Sequence, residues 1–496
     1  MSADGSRLSS AFAACLLAVG AAACGTTVDG KSLGVRAASG AGGLDVPSAV
    51  SSGGGVARQP GTAGIGGQSG TSAATTSGGT AQAAGVTAAP APRAVTGPIR
   101  VGFMYANNDA ATTAGVDNNM TVTAGKAMKA LVTSYNAVGG LGGRRIQPFY
   151  EHLNSSSNDY ETDYAAACAA FTQDDHVSVV INSVGLYSES FQSCLAKANT
   201  PVVSDLGPDL PDARQFPLMV TPDDLLADTR VVQVVQRMKA SGWLTAQNKI
   251  GVVIEDCPID NRIFTNALKP AIARAGLHLA ATASPHCFQA IGDLGTISGQ
   301  MGSAVVSFRS AGVDRVMFVS LGEEGTMCFE FMVAAGQQNW YPGYAMSSMT
   351  YATTVATQSG VKQQEIENSR GVGWNPYTDT DDLKQAPLSN AARECLSRLD
   401  KAGVRPTTGN DFFAALGVCD QFALLDRILQ ASRGDATASG FLRGLATAQQ
   451  GFQSAINVGG SASTWDHGRL GPGAYRFFAW NSSKGAFVYT SGPAPF

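Results

Sequence analysis

The chain has 496 residues, with 34 Lys and Arg against 38 Asp and Glu and a formal charge of −4. That mild acidity, without a run of basic residues, excludes the electrostatic footprint of a nucleic-acid binder. No stretch stays apolar over the roughly 20 residues that a bilayer-spanning helix needs.

Residues 1–10 carry Arg7 against Asp4, and residues 11–19 form an apolar run of signal-peptide length. Ala21, Ala22 and Ala23 then put small side chains before Cys24. This order resembles the lipobox of bacterial lipoproteins, which implies a signal peptide over 1–23 and lipidation of Cys24. An ordinary secretory signal with an incidental Cys is the plainer alternative. Residues 24–97 contain no Phe, Tyr or Trp and only six charges, so they cannot bury enough apolar area to offset their ordering entropy. They read as a disordered tether, about 45–50 Å in average reach.

From residue 99 short apolar runs alternate with amphipathic ones. Strands are predicted at 99–105, 146–152, 177–182 and 201–204, with helices at 121–136, 159–172 and 188–198 between them. In the first helix Ala124, Met128, Leu131 and Tyr135 share one face, and Gly139-Gly140 ends it. The alternation restarts after Pro222, with helices at 223–240, 261–275, before Ala311, and 323–335. Its strands fall at 249–254, 277–283, 315–320 and 344–346. Val179-Val180-Ile181 is apolar on both faces, as a parallel strand covered by helices must be. Two blocks of βαβ units predict an α/β protein of two doubly wound lobes. Residues 371–374 read as a crossing strand, 388–402 and 412–432 as helices, and 475–480 with 486–490 as a closing hairpin that suits an edge addition.

Beyond Cys24 there are seven cysteines and no CxxC, so no zinc site is expected. In an exported protein disulfides are the default. Cys257 and Cys287 each follow a strand, Cys168 and Cys194 sit on successive helices, and Cys395 and Cys419 sit on helices that can pack together. Those are the expected pairs, with Cys328 left buried and free.

The helix-to-strand turn Asn136-Ala137-Val138-Gly139-Gly140-Leu141-Gly142-Gly143-Arg144-Arg145-Ile146 resembles the first such turn of type I periplasmic binding proteins. The branched-chain amino acid and amide group of ABC-transporter substrate-binding proteins is the nearest likeness. Ile99-Arg100-Val101-Gly102, Val179 to Ser183, Ala311 to Val319 and Ala414 to Asp420 fit that family in order, over nearly all of 98–496. The resemblance implies a bilobed clamshell with three crossovers: 98–221 with 372–455 as one lobe, 222–371 with 456–496 as the other. It implies a monomer outside the cytoplasm that takes a small polar ligand, an amino acid or a relative, into the interlobe cleft and hands it to an ABC permease. No cofactor or metal is implied.

Open α/β sheets bind ligands at the carboxyl ends of their strands. The candidates are therefore Asn107 and Asn108 after the first strand, Ser183, Tyr187 and Ser188 after the third, and Asp205 after the fourth. Glu255, Asp256, Glu323, Ser347 and Ser348 follow strands of the second block. Asp205 stands where the family's loop helps hold a ligand carboxylate, which an acid would repel. At Ser347-Ser348 the amino-acid binders carry an acid for the ligand ammonium, and here there is none. A neutral or cationic solute therefore stands beside an amino acid as ligand. Catalysis has little support: the five His form no HExxH, and no GxSxG elbow exists. A sensing or surface-interaction lipoprotein of the same fold, without a permease, is the alternative.

Overall fold

A computed structural model describes residues 95–107, 120–154, 156–465 and 468–496. The expected signal peptide 1–23, the lipidated Cys24, tether residues 24–94 and Asn108 lie outside the described residues. No helix among the described residues is long and apolar enough to cross a membrane.

The first sheet holds β1 (Ile99–Asn107), β2 (Ile146–Asn154), β3 (Val179–Ser183), β4 (Val202–Ser204) and β5 (Met219–Val220) in the order β2-β1-β3-β4-β5. All its pairings are parallel. Period-two alternation sends Val101, Phe103, Val179 and Ile181 into one core, and Met104, Val180 and Val202 into another on the opposite face. Each such side chain, fully buried, contributes about 2 kcal/mol of transfer free energy.

The second sheet repeats the plan with β6 (Lys249–Ile254), β7 (His278–Ala283), β8 (Arg315–Val319), β9 (Gly343–Ser347) and β10 (Arg370–Gly373), all parallel, in the order β7-β6-β8-β9-β10. It too is covered on both faces, with Val253, Val316 and Phe318 in one core and Ile250, Val252 and Met317 in the other. A small antiparallel pair, β11 (Ala462–Trp465) and β12 (Arg469–Pro472), follows. Then β13 (Ala474–Asn481) joins β10 antiparallel, with β14 (Ala486–Tyr489) outside it and β15 (Ala494–Pro495) also on β13. The closing hairpin is thus an edge addition. The chain passes between the sheets three times: after β5, after β10 and before β13. Between the last two passages the helix Gly409–Ala431 buries Leu416, Phe422 and Leu425 in the first sheet's core.

Local differences from the expected elements have physical causes. The helix expected from 223 begins at Ala227, because Asp223 and Asp224 lie in the crossover and Leu226 is non-helical (ψ 138). The helix expected at 261–275 begins at Pro258 and widens into a π turn at Phe264–Leu268. Pro270 lies in the segment after that turn and has no N–H for the i→i−4 ladder. Helices Leu210–Gln215 and Ala438–Ala448 and the β11–β12 pair were not expected.

Among the described residues the disulfides are Cys168–Cys194, Cys257–Cys287 and Cys395–Cys419, and Cys328 is buried and free. All match the expected pairs. Each closes a loop of 24 to 30 residues, worth about 3 kcal/mol in the chain-entropy account.

Candidate ligand cleft between the two sheets

In each sheet the strand order reverses beside one strand: at β1/β3 in the first and at β6/β8 in the second. Such switch points leave a crevice at the carboxyl ends of the strands. Here both open into one cavity of about 390 Å³. Ala106, Ser183, Val184, Gly185 and Asp205 line it from the first sheet, and Gly322, Glu323 and Thr326 from the second. Tyr351 and Thr354 enter from the loop and helix after β9, and Asn410 and Phe413 from the helix Gly409–Ala431.

Several contacts close this cavity. A Cβ on Gly322 would lie 2.5 Å from the Gly185 carbonyl oxygen, so at φ +109 only glycine fits that approach. Phe288 lies edge-on to Tyr160 (5.8 Å between centroids), and the Tyr160 N–H donates to the Gln289 carbonyl at 3.0 Å. Tyr351 meets Phe413 edge-on at 5.2 Å, and Thr354 Oγ1 donates to Asn410 Oδ1 at 3.1 Å. Tyr351 takes φ +52, a left-handed conformation that costs a non-glycine residue of order 1 kcal/mol and often marks functional sites. Outside the cavity Arg262 joins Asp209 at 2.7 Å, Asp212 at 3.0 Å and Glu189 at 3.3 Å, so a guanidinium beside the second sheet meets three carboxylates beside the first.

The wall is mainly apolar and aromatic, and its charged groups are all acidic. Among the described residues no Lys, Arg or His lines the cavity, whereas Asp205, Glu323 and Glu330 do. Asp205 Oδ2 accepts from the Gly185 N–H at 2.9 Å, and the Ser183 hydroxyl also bonds this carboxyl. Burial still pushes its pKa up to about 7, with Asp224 adding to the rise. Glu323 accepts from Thr326 Oγ1 at 2.5 Å, and its own N–H donates to Ser320 Oγ at 3.1 Å. Burial, then the Glu255 charge, raises it to about 7 as well. Burial, then Asp205 and Glu323, holds the Tyr351 hydroxyl far above its ordinary range.

The expected site residues divide clearly. Ser183, Asp205 and Glu323 come together on the wall. Asn107 ends β1, beside the wall residue Ala106. Tyr187 lines a smaller neighbouring pocket, its hydroxyl donating to Asp212 Oδ2 at 2.7 Å. Ser188 Oγ caps the helix Glu189–Lys197 by accepting from the Phe191 N–H at 3.1 Å. Glu255 is buried in the smaller pocket, accepting from Ser320 Oγ and the Phe288 N–H, both at 2.5 Å. Asp256 is exposed and accepts from Asn261 at 3.0 Å. Ser347 Oγ donates to Glu324 at 2.7 Å beneath the cavity. Ser348 Oγ accepts from the Trp374 and Asn375 N–H groups at 2.8 and 3.0 Å, at the second passage between sheets. The structure thus ties both serines into scaffold bonds, and neither lines the cavity.

Sequence reasoning missed Phe288, Phe329, Tyr351, Asn410 and Phe413. Tyr351 lies three residues past the flagged Ser348, and Phe288 one past Cys287. Only the packing of distant segments shows that they face one space. One group of metal-ligating types occurs among the described residues, Glu255, Cys257 and Cys287, with ligand atoms within 4.8 Å of one another. The two sulfurs are joined to each other, so no thiolate remains for a metal.

No family model matches the sequence, and no curated protein matches it. Solved structures do. An ABC transporter substrate-binding protein from Desulfitobacterium hafniense, in complex with Leu, has a TM-score of 0.52 at 14% identity, covering 79% of this chain and 99% of that one. A solute-binding protein from R. palustris, in complex with 4-hydroxybenzoate, reaches 0.58 at 12%, covering 80% and 97%. A putative branched-chain amino acid ABC transporter protein from Rhodospirillum rubrum gives 0.50 at 14%, covering 79% and 99%. The fold is that of the type I periplasmic binding proteins. Within that fold, the cavity lies where both sheets reverse their strand order, and its walls come from both halves.

Proposed function

We propose that this chain is an extracytoplasmic solute-binding protein, not an enzyme, that captures a small molecule in the interlobe cleft and delivers it to an ABC importer. The observation that carries the reading is the mainly apolar cavity at the two switch points, lined from both sheets. Its size suits a small ligand, and structures of the same fold hold Leu or 4-hydroxybenzoate. The lobes are 98–221 with 372–455 and 222–371 with 456–496. Asp205, Glu323 and Ser183 are the ligand-facing polar residues. Hinge motion at the three passages admits the ligand, and the closed form is what the permease reads. The chain works as a monomer on a tether held to the membrane by lipid on Cys24, after cleavage of residues 1–23.

The test is a thermal-shift and native mass-spectrometry screen of the purified protein against a broad metabolite library. One or more small molecules should raise Tm by several degrees with one-to-one stoichiometry. If no compound binds, the transport reading fails. Separately, metabolic palmitate labelling should mark the wild type and not Cys24→Ala, and the variant should leave the membrane fraction.

A further inference from the structure

We propose that the ligand is an organic cation, an ammonium group on an apolar or aromatic body, held by Asp205 and Glu323 against an aromatic wall. The inference rests on the solute-binding reading and names its chemistry.

The place where a ligand carboxylate would be received is already occupied. The loop after β3 offers the Gly185 N–H and the Ser183 hydroxyl, donors that suit an anion. Here Asp205 fills it, with Oδ2 2.9 Å from the Gly185 nitrogen. A ligand carboxylate would meet that carboxylate at close range, where like charges repel. Nor is there a cation to receive it. Among the described residues no basic side chain lines the cavity. Arg230 lies beneath the cavity, between Asp224 at 3.3 Å and Glu324 at 3.9 Å, and is already neutralised.

The same features suit an ammonium. Asp205 Oδ1 is buried and has no hydrogen-bond partner among the described residues, an acceptor left over on a wall residue. Glu323 and Glu330 supply further acceptors from the other half. Tyr160, Phe288, Phe329, Tyr351 and Phe413 line the same space, and aromatic faces attract an ammonium. The groups facing Asp205 are Tyr164, Tyr351, Asp223 and Asp224, and those facing Glu323 are Tyr160, Tyr351, Thr326 and Glu255. None of them supplies a positive charge.

The experiment uses the purified full chain and calorimetry with matched triplets: aryl- and alkylamines, each beside the alcohol and the carboxylate of the same skeleton. At least one amine should bind ten-fold or more tighter than its alcohol, and its carboxylate should not bind. Asp205→Asn keeps an acceptor for the Gly185 N–H, and Glu323→Gln keeps the side-chain shape. Each should weaken the amine ten-fold or more and leave the alcohol within about three-fold, with circular dichroism unchanged. Amine affinity should also rise between pH 6 and pH 8. A carboxylate or alcohol that binds tighter than its amine overturns the cation and leaves solute binding standing. Failure of every amine, alcohol and acid overturns both. If one variant does not fold, the other still decides the point.

Discussion

Asp411 shows how much one carboxylate can organise. Its Oδ1 accepts from the Thr121 and Val122 N–H groups at 2.6 and 2.8 Å, and its Oδ2 from the Thr121 hydroxyl at 2.8 Å and the Thr407 N–H at 3.0 Å. It thereby pins the start of the helix Ala124–Asn136 to the helix Gly409–Ala431, two elements that share the cavity wall. Burial opposes its ionisation, but these donors outweigh burial and pull it down to about 2. The native value lies below the unfolded one of about 3.9. Its stabilisation is therefore present above about pH 4 and lost as pH falls towards 2, roughly 2–3 kcal/mol in all. Asp411→Ala should cost about 3 kcal/mol at pH 7 in urea unfolding, because several buried N–H groups lose their acceptor. A loss below 0.5 kcal/mol would show that solvent replaces the carboxylate.

Among elements, the helix beginning at Pro258 and the short helix Leu210–Gln215 meet through Arg262. Asp209 and Asp212 are almost fully buried, so this is no ordinary surface pair. Because its partners sit beside opposite sheets, it stabilises the closed arrangement in particular. Arg262→Gln should raise ligand Kd about ten-fold, roughly 1.4 kcal/mol, with a larger radius of gyration in solution scattering before ligand is added. An unchanged Kd would mean that the latch forms equally in open and closed states. The loop carrying Phe288 is held by Cys257–Cys287 and by the Phe288 N–H on Glu255. Cys257→Ser with Cys287→Ser should lower stability by about 2–4 kcal/mol. It should weaken ligand binding more than Cys395→Ser with Cys419→Ser does, since that bond lies in the first sheet's core, away from the wall.

For the whole molecule the buried acids set the pH response. Burial raises Asp205, Glu323, Glu365, Asp379 and Asp420 to about 7. Burial and the nearby Asp420 charge push Asp223 well above the carboxylate range. Three donors from Ser454, Ala455 and Ile456 favour charge on Asp420, so Asp223 holds the proton. Unfolded carboxyls release their protons near pH 4. Between there and about pH 7 the native state holds more protons than the unfolded one, so stability falls as pH rises. The ligand-free protein should therefore melt higher at pH 5 than at pH 8 by scanning calorimetry. A Tm that climbs over that interval would contradict these protonation states.

Much was legible before any tertiary contact was known. Apolar runs on both strand faces, such as Val179-Val180-Ile181, can only be covered parallel strands, and their spacing sets the two βαβ blocks. The disulfide pairs were legible because each cysteine follows or sits on a recognisable element. Period and composition are local properties, and a chain carries them wherever it folds. The cavity is not local. Its wall draws on segments from Ala106 to Ala414, and no rule of spacing places Tyr351 against Phe413 or Gly185 against Gly322. Strand-end position alone could not tell Asp205, which reaches the wall, from Ser347, which bonds to Glu324 beneath it. The amino-acid sequence thus determined the fold and the cross-links, and the tertiary structure alone decided which carboxyls line the cavity.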